Sequence, residues 1–127
     1  MLLSKVKQAI EFRTKSKLKL PVDDILQDIV QEASIYVANR CDPSELIRYT
    51  IDSETILKLI EGGRYIVEPE YPDFSKSDRH LQIDELLSYS VINYACFLLT
   101  KESAFKSLCD DDIGLYRSEY SRVGNGE

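Results

Sequence analysis

Apolar side chains recur along this chain in four blocks, and the spacing within each block indicates what it folds into. Leu2, Leu3, Val6 and Ile10 stand three and four apart, which predicts a short amphipathic helix over residues 2–14. After a polar, basic stretch from Thr14 to Lys19, Pro21 opens a second block. Val22, Ile25, Leu26, Ile29, Val30, Ala33, Tyr36 and Val37 keep the same spacing over four turns. Pro21 suits a first helical turn, and Asp23 and Asp24 face the positive end of the helix dipole. This helix should stop near Asn39-Arg-Cys, because the residue preceding Pro43 avoids helical backbone angles.

The pattern changes over residues 44–72. Leu46, Ile47, Tyr49, Ile51 and then Tyr65, Ile66 and Val67 fall in short β-branched or aromatic runs, with Gly62-Gly63 as a turn between them. A small β-element or extended arm is expected, with a helical turn over Ser53 to Leu59. Pro69, Pro72 and the polar run to His80 form a loop. A third helix is expected over Gln82 to Thr100, apolar on most sides and therefore central. Its main face is Ile83, Leu86, Leu87, Val91, Tyr94, Ala95 and Leu98. A last helix should open at Asp110-Asp-Asp, the triplet serving as cap and first turn, and should carry Ile113, Tyr116, Tyr120 and Val123 before Gly124 to Glu127 fray. The fold class is mainly α: a small helical bundle with a short β-element or extended arm in the middle. The 127 residues make one domain, with N-terminal helices in 1–40, the excursion in 41–80, the helical pair in 81–123 and the tail in 124–127.

Charge adds a polarity to this outline. Residues 1–20 hold six basic side chains against Glu11 alone, a balance of +5, while the remaining residues hold 10 basic and 21 acidic ones, a balance of −11. An acidic body repels nucleic acid. The basic N-terminus reads first as a solvated helix face, with a phosphate backbone or an acidic protein surface as the functional alternative. Three cysteines, Cys41, Cys96 and Cys109, have neither the even count of a disulfide framework nor the spacing of a zinc site, and Cys96 reads as a small core residue. No apolar run reaches the ~18 residues of a membrane span, and Met1-Leu-Leu-Ser-Lys lacks the apolar stretch of a secretory signal. Synthesis and residence in a reducing cytoplasm are expected.

Candidate chemistry is sparse. His80 is the sole histidine, and no nucleophile motif frames it. Asp110-Asp-Asp lacks the ligand spacing of a calcium loop. Asp84 and Glu85 diverge by about 100° on a helix and read as caps. Gly62-Gly63 lacks the companions of a phosphate-binding loop. No catalytic, cofactor or metal residue is assigned, and no enzyme is expected. The tyrosines are more suggestive. Tyr116 and Tyr120, with Arg117 and Arg122 beside them, are residue types enriched at protein interfaces. Packing of the same stripe against Tyr94 and Leu98 is the structural alternative.

The order of these pieces resembles the head–tail connector (adaptor, or head completion) proteins of tailed bacteriophages. The likeness is carried by Tyr71-Pro-Asp-Phe, Leu81-Gln-Ile-Asp-Glu85, the apolar run Leu86 to Leu99 and Tyr116-Arg-Ser-Glu-Tyr120, and more loosely by the helix from Pro21 to Arg40. The resemblance implies a structural virion protein that forms a ring, commonly twelvefold, beneath the portal and links the DNA-filled capsid to the tail. Its partners would be the portal protein, neighbouring copies of itself and the next tail component, with DNA passing through the channel. Neither a cofactor nor a membrane is implied. Tyr116, Arg117, Tyr120, Arg122 and Val123 would bear the portal or inter-subunit contact, and the Arg40 to Asp78 excursion would face neighbours or the tail. The acidic body would suit a channel that lets DNA slide. The rival expectation is a small regulatory or antitoxin-like helical protein that binds one partner through its last helix.

Overall fold

The computed structural model describes residues 1–76 and 78–124, apart from the side chains of 120–124. Four α-helices surround a core, and a three-stranded sheet is inserted between the second and third. They are α1 (Leu3–Thr14), α2 (Asp23–Cys41), β1 (Ile47–Arg48), β2 (Ile56–Ile60), β3 (Arg64–Val67), α3 (Ser88–Thr100) and α4 (Ser103–Gly124). A 3₁₀ turn over Ser44–Leu46 leads into β1, and another over Glu85–Leu87 leads into α3. No described helix is long and apolar enough to cross a membrane.

Helix α3 is the central element, as its breadth of apolar residues predicts: it packs on α4, α2 and α1. Its burial covers most of the first two turns, from Ser88 through Val91, Ile92, Ala95 and Cys96, with Tyr89 left exposed. Leu3, Val6 and Ile10 of α1 and Leu26, Val30, Ala33 and Val37 of α2 complete the core on one side. Cys109, Ile113 and Tyr116 of α4 complete it on the other. The expected α3 face holds in part: Ile83, Leu87, Val91 and Ala95 are buried, whereas Leu86 points outward.

Three expectations are corrected. Residues 53–59 form no helical turn, since β2 occupies Ile56–Ile60. Pairing with β3 decides the conformation of this short segment, whose helical nucleus has no face to bury. The sheet order is β1-β3-β2, all antiparallel, with Ile47 opposite Ile66, Leu59 opposite Tyr65 and an irregularity between Ile56 and Lys58. Gly62 and Gly63 both sit at positive φ in the β2–β3 turn, where a side chain would be strained.

The third helix begins at Ser88, not Gln82. Leu81 and Ile83 precede it on a bend closed by Ile83 N–H donating to Leu81 C=O (3.0 Å), both buried with Gln82 exposed between them. An antiparallel bridge between Leu2 and His80 fixes the start of that segment against the N-terminus. In it, Leu81 N–H donates to Met1 C=O (2.8 Å) and Leu3 N–H donates to Arg79 C=O (3.0 Å).

The fourth helix begins at Ser103, seven residues before the acidic triplet. Lys101 adopts a left-handed conformation (φ 63°) and its N–H donates to Phe97 C=O, closing α3. The Thr100 hydroxyl then accepts from Glu102 N–H (3.1 Å), so α4 restarts after two residues. Asp110 to Asp112 therefore lie within the helix and cap nothing.

Candidate protein-interaction site

Asp84 accepts more hydrogen bonds than any other side chain among the described residues. It sits at the N-cap position of the 3₁₀ turn before α3, yet its carboxylate reaches across to the turn over Ser44–Leu46. It accepts from Ser44 N–H (3.1 Å), the Ser44 hydroxyl (2.6 Å), Glu45 N–H (2.8 Å) and the Tyr116 hydroxyl (2.7 Å). A turn of this kind begins with N–H groups lacking an internal partner, and a carboxylate satisfies them as an N-cap does, here from 40 residues away. Partial burial alone would raise the pKa of Asp84. The bonds from Ser44, Tyr116 and Glu45 outweigh burial and hold the carboxyl below its usual range. Tyr116 moves the opposite way: burial, then the neighbouring carboxylate, push its phenol well above the ordinary value.

Tyr116, expected at a partner contact, is only 7% exposed. Its ring belongs to the core and its hydroxyl ties α4 to the base of the excursion. The structural alternative therefore describes it, although the ring does not lie on Tyr94. Tyr94 instead stacks on Tyr36 of α2, with ring centroids 3.7 Å apart and planes 15° from parallel. The Arg40 guanidinium covers the other face of Tyr36 at 3.5 Å. The Tyr36 hydroxyl donates to Asp110 (2.8 Å), which also accepts from Lys106 (2.9 Å). This is the role of the first acid of the triplet: it joins α4 to α2. Asp111 remains exposed beside it.

Of the other expected contact residues, Arg117 is exposed on α4. Tyr120, Arg122 and Val123 lie outside the residues whose side chains are described. Several exposed apolar side chains were not named individually as contact residues in the sequence. Tyr49 and Leu59 are 73% and 70% exposed on the excursion, Phe12 is 70% exposed on α1, and Leu108 and Leu115 project from α4. The last two stand seven apart, on the side of the helix away from Cys109, Ile113 and Tyr116. That periodicity was available in the sequence, but the late helix start concealed it.

The excursion is fixed at several points. Lys58 donates to Asn39 C=O (2.6 Å) and pairs with Asp42 (2.5 Å) at the end of α2. Ile66 and Val67 of β3 are fully buried, and Asp84 holds the turn that precedes β1. The sheet is thus anchored at its base while Tyr49 and Leu59 face solvent.

His80 is exposed and lines a pocket of about 220 Å³ with Leu3, Tyr71, Asp73 and Arg79, the last held by Glu70 (2.8 Å). Among the described residues no serine or cysteine lines it. The three thiols are all buried, which pushes Cys41 and Cys109 up to about 12 and Cys96 up to about 11, so none is a nucleophile at neutral pH. Among the described residues no cluster of three or more His, Cys, Asp or Glu side chains could hold a metal ion. Comparison of the chain with family models, with curated proteins and with solved structures found no match.

Proposed function

We propose that this chain is a non-enzymatic assembly protein: a head–tail adaptor of a tailed bacteriophage virion that oligomerises beneath a portal protein and offers a platform to the next tail component. One observation carries the reading. A helical body holds a firmly anchored β-excursion whose outward side chains, Tyr49, Ile56 and Leu59, are apolar and exposed. Exposed apolar residues on a fixed support suit docking to protein, and a chain of this size reaches between two larger structures only as one of several copies. The order of Tyr71-Pro-Asp-Phe, Leu81-Gln-Ile-Asp-Glu85 and Tyr116-Arg-Ser-Glu-Tyr120 supports placing that docking in a virion. The acidic body supports a channel through which DNA passes without adhering. On this reading Arg117, Tyr120, Arg122 and Val123 reach the portal or a neighbouring copy, while Tyr116 positions the helix that carries them.

The test is quantitative mass spectrometry of gradient-purified particles from the host of the parent genome. A fixed stoichiometry matching the portal protein is expected. Particles that lack the chain would overturn the adaptor role and leave a regulatory protein acting on a single partner.

A further inference from the structure

The charge division along the sequence becomes two complementary surfaces in three dimensions. The first is a broad, open groove of about 810 Å³ between α1 and the start of α2. Lys7, Lys15, Lys17 and Lys19 line it against two carboxylates, Glu11 and Asp23, together with the apolar Leu20 and Val22. Lys7 and Lys17 are engaged by Asp23 (2.8 Å) and Glu102 (2.9 Å), so they are largely neutralised. Lys15 and Lys19 are exposed and form no ion pair among the described residues, and the Lys15 ammonium lies 4.7 Å from the exposed Phe12 ring. The second surface is the outer face of α4, where Leu108, Asp111, Leu115 and Glu119 share one side of the helix and all are exposed. Asp111 and Glu119 form no ion pair among the described residues, and no basic residue falls on this stripe between Leu108 and Glu119.

We propose that the basic groove of one copy receives the acidic, leucine-bearing face of α4 from a second copy. Leu108 and Leu115 would cover Val22 and Phe12, while Asp111 and Glu119 meet Lys15 and Lys19. The second copy is favoured as occupant because the groove's surplus charge and its apolar lining are both matched on this chain's own surface. The match cannot be made within one copy, since α1 and α4 flank α3 separately and touch each other only marginally. A contact between two different surfaces repeats from copy to copy, closing into a ring or continuing as a chain. The inference rests on the assembly reading above and names the surfaces that perform it.

Sedimentation velocity at low ionic strength tests it, using the full chain and two charge-reversal variants checked for folding by circular dichroism. One variant carries Lys15→Glu with Lys19→Glu, the other Asp111→Lys with Glu119→Lys. Wild type should self-associate, and less so as salt rises from about 0.05 to about 0.5 M. Each variant alone should associate at least about tenfold more weakly, and an equimolar mixture of the two should recover the wild-type behaviour. Three results would overturn the inference: association unaffected by either reversal, a mixture that fails to recover, or wild type that stays monomeric at millimolar concentration and low salt. None of these touches the particle measurement, so the adaptor reading stands or falls separately.

Discussion

At the scale of single residues, the Asp84 carboxylate has the widest reach, because three segments distant in sequence converge on it. Asp84→Ala removes the acceptor shared by Ser44 N–H, Glu45 N–H and the Tyr116 hydroxyl, while Ser44 N–H keeps its longer bond to the Tyr116 oxygen (3.3 Å). It should cost about 1–2 kcal/mol in urea denaturation, the half-open site moderating the loss. Tyr116→Phe keeps the ring in the core but removes the hydroxyl that donates to Asp84 and accepts from Ser44 N–H, and should cost about 1 kcal/mol. A pH series gives an independent check. Because the folded carboxyl is more acidic than the unfolded one, its contribution is complete above the unfolded value of about 3.9 and is lost as pH falls through the lower folded value. The stability gap between wild type and Asp84→Ala should therefore be constant from neutral pH down to about 5 and close on further acidification. None of this network could be read in the sequence. Asp84 announces itself as the cap of the turn that follows it, and nothing local connects it to Ser44 or Tyr116. The bond from Tyr116 was hidden for the same reason: residue type records that a tyrosine has a polar tip, while the fold decides which group meets it.

Among the elements, the two N-terminal helices were legible to within two residues, because their apolar spacing is unbroken and a proline punctuates each side of α2. The later helices were legible in existence but not in extent. Lys101-Glu-Ser reads as a loop, and only the left-handed angle at Lys101 permits α4 to restart at once. Lys101→Gly should therefore stabilise the chain by up to about 1 kcal/mol in thermal melts, since glycine adopts that angle freely. Gly63→Ala tests the opposite sign. A Cβ there would meet nothing within 4 Å, so a loss of about 1 kcal/mol would come from φ alone. Strand β2 was hidden because five residues in a small sheet owe their conformation to the partner strand rather than to their own pattern.

The whole molecule keeps all three thiols inside, on α2, α3 and α4, at the helix packing that defines the core. A thiol reagent at pH 8 should leave the native protein unmodified and label three sulfurs only when denaturant opens it, with all three appearing in one transition. Piecemeal labelling would mean that α2, α3 and α4 open separately. The overall architecture, a helical bundle interrupted by a small sheet, followed from the hydrophobic pattern. The complementary charged surfaces did not, because the net division of charge says nothing about which lysines are already held by a carboxylate.

The convergence on Asp84 also sets the order in which the chain can be completed. A helical bundle built from neighbouring contacts closes quickly. Here the turn at Ser44 stays without its cap until residue 84 arrives, and residue 84 stays under-bonded until Tyr116 is in place, 72 residues after the segment it stabilises. Loops of that length slow the search for the native state. During synthesis the excursion would form only loosely at its base while the last helix is still unmade. A nascent chain of this protein thus withholds a settled excursion until α4 has emerged, so that the apolar surface of Tyr49, Ile56 and Leu59 takes up its final placement only on a finished subunit.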